Sequence, residues 1–204
     1  MTLAELLAAV PHELVCGRTD IDIAAVRADS RQVGPVDVFV CLPGYQSEGG
    51  ERRADRHDFA AEAVARGAAA LVVERPVDAG GEVTVVRVEN GWQAIAAMAC
   101  AYYRQPSREL TVVGVTGTSG KTSTSYFLES VLAAAGLAPA CLGTIEYRIA
   151  GEVLPAQQTT PEAPELQRLL RLGRERGCRS VVMEVSSHAL ELRRVGGIAF
   201  DVGV

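Results

Sequence analysis

The sequence predicts an α/β protein in which a small α/β domain is followed by a parallel-sheet domain built around a phosphate-binding loop. Three observations carry this. Strand-like and helix-like segments alternate over the first ninety residues, as in a small α/β unit. Glu109 to Gly136, ELTVVGVTGTSGKTSTSYFLESVLAAAG, runs from an apolar strand through a glycine loop ending in Lys-Thr into an amphipathic helix. A second buried strand, Ser180 to Val185, has Glu184 near its C-terminal end, where ligands bind in open α/β sheets.

The chain opens with a capping-box pair, Thr2 and Glu5, before a helix to about Val10 with Leu3, Leu6 and Leu7 on one face. Two strands, Ile23 to Ala28 and Val36 to Leu42, are expected next, joined by a polar turn with Asp29, Ser30 and Arg31. Gly44 to Asp58 is a long polar loop, and Asp58 is expected to cap a helix to Arg66. Strands over Ala69 to Val73 and Val83 to Val88 follow, then a helix from the Asn90/Gln93 capping pair to about Arg104. Gln105-Pro106-Ser107-Arg108 stops that helix and is the expected linker, dividing the chain into residues 1–105 and 106–204.

In the second domain Leu110, Val112, Val113 and Val115 suit a strand buried on both faces. The loop is Thr116 to Thr122, and Phe127, Leu128, Val131 and Leu132 recur at helical spacing, with Gly136 as the helix stop. Strand, loop and helix in this order present backbone N–H groups and a helix N-terminus to an anion, and Lys121 adds a full charge. A helix terminus alone stabilises an exposed anion by about 0.3–1 kcal/mol, so a nucleotide site needs Lys121 and a metal as well. Thr122 supplies the hydroxyl that reaches Mg²⁺ in such loops. Ala140 to Ile149 is expected to be extended and to turn at Ala150-Gly151 into Val153 and Leu154. Thr160 before Pro161 signals a helix start, so capping is the plain reading of Thr159, Thr160 and Glu162. Burying Glu184 is costly without a cation or hydrogen-bonding partner, which makes it a candidate metal residue; His188 reads as a hydrogen-bonding scaffold.

With 204 residues and 48% hydrophobic content, the chain can form one or two domains. A net charge of −5 opposes a nucleic-acid partner. The five cysteines are scattered, odd in number and form no Cys-x-x-Cys pair, so neither a disulfide framework nor a zinc site is indicated, and buried thiols in a reducing cytoplasm are the better reading. The N-terminus lacks an early positive charge and is broken by Pro11, so it does not read as a signal peptide, and no run suits a membrane span.

Val115-Thr-Gly-Thr-Ser-Gly-Lys-Thr122, Thr159-Thr-Pro-Glu162 and Met183-Glu-Val-Ser-Ser-His-Ala-Leu190 resemble the Mur ligase family. Asp29-Ser30-Arg31, Val38-Phe-Val-Cys-Leu-Pro-Gly44 and His57-Asp58-Phe59 are similar to that family's N-terminal nucleotide-sugar domain. The resemblance implies a small UDP-binding α/β domain, then an incomplete ATP-binding domain of the P-loop type. It implies an ATP-dependent amide ligase of the cytoplasm, monomeric at full length, acting in peptidoglycan precursor synthesis. ATP would phosphorylate the D-glutamate side of UDP-N-acetylmuramoyl-L-alanyl-D-glutamate, and the amine of a diamino acid, meso-diaminopimelate or L-lysine, would attack the acyl phosphate. Gly117, Thr118, Ser119, Gly120, Lys121, Thr122 and Ser123 would hold ATP, with Lys121 and Glu184 catalytic and Thr122 and Glu184 serving Mg²⁺. Thr159, Thr160, Ser186 and His188 would face the muramoyl-peptide, and Ser30, Gln46 and Ser47 the uridine part.

Ser119 stands where many members have Asn, and Arg56 where Gly is common. A family member continues past a strand like Phe200 to Val204 into a carbamylated lysine and a C-terminal amino-acid-binding domain. The chain therefore reads as a truncated portion, inactive by itself and ending on an apolar strand with an unpaired edge. A non-catalytic nucleotide or UDP-sugar-binding module, or another amide ligase of the superfamily, stays open as an alternative.

Overall fold

The computed structural model describes residues 1–46 and 52–204. It is mixed α/β, and the chain divides into two compact units between Tyr102 and Tyr103. In the first, Thr2 and Glu5 close their capping box on α1 (Leu3–Leu7), which is shorter than expected. The next strand, β1 (His12–Cys16), escapes sequence reading because all five residues are exposed and no apolar alternation marks it. The two strands expected at residues 23–28 and 36–42 are trimmed to β2 (Val26–Arg27) and β3 (Val38–Val40). Val36 cannot extend β3, because its φ of 58° is left-handed. Between them Asp29 accepts the Arg31 N–H at 3.0 Å and caps a 3-10 turn at Ser30–Gln32.

A hairpin of β4 (Tyr45–Gln46) and β5 (Arg52–Arg53) follows. Asp58 is not the cap of the next helix: Asp55 caps a 3-10 turn at Arg56–Phe59, and α2 (Ala60–Ala65) continues from it with no side-chain cap. Then come β6 (Ala70–Val73), β7 (Thr84–Val88) and α3 (Gly91–Tyr102), whose first turn is capped by Asn90 through the Gln93 N–H at 2.8 Å. The sheet order is β1-β7-β6-β3-β2, parallel except for β1. Alternate residues fill two cores, one with Val38, Val40 and Val72 against α1 and α3, the other with Phe39, Leu71 and Val73 against α2.

Left-handed Arg104 and Gln105, with φ of 58° and 49°, end that helical run. The expected linker is instead packed: Pro106–Glu109 forms a 3-10 turn in the second unit, and buried Ser107 accepts the Ala199 N–H at 3.2 Å. This unit contains β8 (Thr111–Val115), α4 (Lys121–Ala134), β9 (Pro139–Leu142), β10 (Glu146–Ile149), β11 (Glu152–Pro155), α5 (Ala163–Glu175), β12 (Ser180–Glu184), α6 (Ser187–Glu191) and β13 (Val202–Gly203). The order is β11-β10-β9-β12-β8-β13. The stretch expected to run extended to Ile149 is two antiparallel strands, β9 and β10, separated by a turn at residues 143–145.

The helix α4 covers one face with Leu128 and Leu132 against Val113, Val115 and Val182. Phe127 and Val131, of the same helical spacing, are 73% and 63% exposed. On the other face Leu166, Leu169 and Leu170 of α5 meet Val112, Val181 and Met183. The start of α5 lies at Ala163, beyond the expected Thr160-Pro161 cap, and its N-cap is Glu162. The outer strand β13 leaves Val202 exposed. No helix among the described residues is long and apolar enough to cross a membrane.

Cysteine exposure gives a direct check. Cys16 is exposed, whereas burial pushes the Cys41 thiol to about 12 and those of Cys100 and Cys141 to about 11; Cys178 is buried as well. Alkylation requires a thiolate. Mass spectrometry after brief iodoacetamide treatment at neutral pH is expected to find one label, at Cys16, in the folded chain and five after denaturation.

Candidate nucleotide and substrate sites

In the second unit β8 delivers the chain to the loop, and the loop opens into α4. Gly117 and Gly120 take φ of 136° and 80°, and a Cβ at Gly120 would meet nothing within 4 Å, so backbone conformation rather than space selects glycine there. The first backbone bond of the helix runs from Thr124 N–H to the Gly120 carbonyl at 2.9 Å, so the first-turn N–H groups have no partner within the helix. Thr118, Ser119 and Ser123 are exposed around them, and Thr122 is half-buried. The Lys121 ammonium lies over the loop and donates to the Gly117 carbonyl at 2.6 Å. N–H groups, helix N-terminus and ammonium converge as a phosphate group requires.

Parallel pairing brings the acidic residue to this place. Glu184 stands in register with Val115, the last residue of β8. Its side chain is 1% exposed, yet among the described residues it makes no ion pair. It accepts the Thr144 N–H on Oε1 at 3.0 Å and the Thr144 hydroxyl on Oε2 at 3.1 Å. Each carboxylate oxygen keeps lone-pair capacity. Among the described residues no group of three His, Cys, Asp or Glu could cage a metal. A buried carboxylate with lone pairs to spare at the strand end beside the loop suits Mg²⁺, which takes one or two carboxylates and completes its shell with phosphate oxygens and water.

The threonine pair divides into two roles. Thr160 is 1% exposed; its hydroxyl donates to the Glu184 carbonyl at 2.8 Å and accepts the Ser186 N–H at 3.1 Å. It therefore fastens the end of β12 rather than presenting a free group to a ligand. Thr159 is half-buried, with its hydroxyl 3.1 Å from that of Thr144. The backbone on either side of it is held: Tyr147 donates to the Gln158 carbonyl at 2.6 Å, and buried Arg194 donates to the Thr160 carbonyl and to the Gln158 side chain. Ser186 caps α6 through the Ala189 N–H at 3.2 Å and keeps its own proton to donate. His188 is half-buried in the same short helix.

In the first unit a cavity of about 560 Å³ is lined by Ser30, Arg31, Arg53, Arg56, Phe39 and Phe59, among others. Ser30 donates to Glu62 at 3.1 Å, and Arg56 to the Ala28 carbonyl at 2.8 Å. Hydrogen bonding from Arg31, paired at 2.7 Å, holds the Asp29 carboxyl below its usual range. Gln46 is exposed in the β4–β5 hairpin and is not among the residues lining the cavity; Ser47 lies outside the described residues. Sequence reasoning did not find Arg53, Phe39 or Glu62 as lining residues. His57, in a quoted motif, is structural: Nε2 accepts the Glu74 N–H at 3.0 Å, so the proton sits on Nδ1 and is donated to Asp55 at 2.6 Å.

A glycine loop opening onto a helix N-terminus, with a buried carboxylate at the neighbouring strand end, has the geometry of an anion-binding site in an α/β sheet. The chain belongs to the Mur ligase family: residues 22–103 match the Mur ligase family, catalytic domain, and residues 115–204 the Mur ligase middle domain. It is 42% identical over 204 residues to the UDP-N-acetylmuramoyl-L-alanyl-D-glutamate–2,6-diaminopimelate ligase of Geobacter metallireducens, and 41% identical over 204 residues to that of Bacillus cereus. All of the chain is covered, but only 39% and 40% of those relatives. A solved structure of a ligase of the same name superposes with a TM-score of 0.77 at 25% identity, covering 100% of this chain and 39% of that one. The MurF ligase from Thermotoga maritima in complex with ADP gives 0.50 at 27% identity, covering 80% and 32%.

The two threonines are expected to separate in a stability experiment. Thr160→Val leaves a buried N–H and a carbonyl without their partner and should cost about 1–3 kcal/mol, whereas Thr159→Val should cost less than about 1 kcal/mol. Urea unfolding followed by circular dichroism reads the difference; equal losses would remove the distinction.

Proposed function

We propose that the chain forms the UDP-substrate-binding and ATP-binding portion of a ligase that joins a diamino acid to UDP-N-acetylmuramoyl-L-alanyl-D-glutamate in peptidoglycan precursor synthesis. The names of the relatives favour 2,6-diaminopimelate as that amino acid. The observation that carries the reading is buried Glu184, without an ion pair among the described residues, one strand from the anion loop. An ATP-dependent ligase needs a cation there; a passive structural strand does not.

In this reading the N–H groups of residues 117–122 and the Lys121 ammonium hold the ATP phosphates in line with the acceptor carboxylate. Transfer of the γ-phosphoryl group to the D-glutamate carboxylate gives an acyl phosphate and ADP; the amine then attacks the carbonyl carbon, and inorganic phosphate leaves as the amide forms. Glu184 and Thr122 would hold Mg²⁺, which supplies positive charge against the phosphoryl oxygens. Thr159, Ser186 and His188 orient the muramoyl-peptide, while Thr160 acts by fixing the strand end that carries Ser186. The cavity beside Ser30 takes the uridine diphosphate part, where Arg31, Arg53 and Arg56 suit phosphate and Phe39 and Phe59 suit a base. The chain spans about two fifths of the length of the curated relatives it matches.

Calorimetry on the 204-residue chain tests both halves. Lys121→Ala should weaken ADP binding at least tenfold and leave UDP unaffected; Arg56→Ala should do the reverse. In a version carrying the remaining portion found in the relatives, ADP release should require both the UDP-muramoyl-dipeptide and a diamino acid, and release with neither would sink the ligase reading. A chain that binds both nucleotides, with no turnover in the longer form, is instead a binding module.

A further inference from the structure

We infer that Thr144, in the turn between β9 and β10, is the positioning residue that aims Glu184 at the metal, and that Gly143 is glycine to admit the carboxylate. The inference rests on the reading of Glu184 as a metal ligand. The strand β12 pairs in parallel with β9 as well as with β8, with Met183 opposite Leu142. The next step in register places Glu184 beside Gly143. A Cβ built at Gly143 would lie 2.5 Å from Glu184 Oε1 and 3.4 Å from its carboxyl carbon, so any side chain there displaces the carboxylate.

The following residue then holds both oxygens at once. Thr144 gives its N–H to Oε1 and its hydroxyl to Oε2. A carboxylate only accepts, so the single hydroxyl proton of Thr144 is directed to Glu184, and the 3.1 Å contact with Thr159 must be a bond donated by Thr159. Two donors from one residue fix the plane of the carboxylate and leave one further lone pair on each oxygen for a cation. Outer partners of this type typically change metal affinity by about 10–100-fold when removed.

The probe is Mn²⁺ titrated into the 204-residue chain saturated with ADP, followed by electron paramagnetic resonance of the free ion. Thr144→Val and Gly143→Ala should each weaken Mn²⁺ binding at least tenfold. Thr144→Ser, which keeps the hydroxyl, should stay within about threefold of the unaltered chain, as should Thr159→Val. ADP affinity measured in EDTA should move less than threefold in all four, which separates loss of the cation from loss of the fold. Should Thr144→Val and Gly143→Ala bind Mn²⁺ normally while Glu184→Gln does not, the positioning role is overturned and the metal assignment survives. Normal binding by Glu184→Gln, or none by the unaltered chain, overturns the metal assignment and this inference together.

Discussion

The parallel pairing of β12 with β8 on one side and β9 on the other is the constraint on which the second unit depends. Side chains on neighbouring parallel strands in register point the same way, so this pairing decides what stands beside Glu184. On one side is the end of β8, where the glycine loop begins; on the other is the turn that carries Gly143 and Thr144. A slip of one residue would turn Glu184 into the opposite face and set an apolar side chain at the loop. Helices on both faces make such a slip costly, because Val181, Val182 and Met183 would exchange cores.

Around this pairing the site is made of backbone and small side chains. The anion loop uses N–H groups; the acidic residue is held by one threonine; the strand end is tied by another. Short side chains lose little rotamer freedom when ordered, so the arrangement can be rigid at modest entropic cost. Larger residues enter at the margin, where Tyr147 holds the carbonyl before Thr159 and Arg194 the carbonyl of Thr160. The first unit works differently. Its cavity is walled by long arginines and two phenylalanines, which suits a bulky ligand with a flat ring and anionic groups.

Much of this was legible in the sequence, and the omissions have physical reasons. The strand, loop and helix at Glu109 to Gly136 read correctly because each has its own local signature. The spacing of Phe127, Leu128, Val131 and Leu132 marks the helix but not which of them are covered: only Leu128 and Leu132 pack on the sheet. β1 was invisible because an exposed edge strand has no alternation to display. Thr160 was read as a cap because Thr-Pro is a helix-start signal, but its hydroxyl is claimed by a strand twenty-four residues away, a contact no local pattern encodes. Gly143 and Thr144 were passed over for the same reason: their roles exist only once β9 lies beside β12.

The closeness of Gly143 to Glu184 also limits how the protein can change over generations. A methyl at position 143 is harmful while 184 is glutamate, and shortening 184 to aspartate withdraws the charge from its threonine donors while opening the room a methyl would need. Two positions forty-one residues apart are thus packed against each other, so the room at one is set by the length of the side chain at the other.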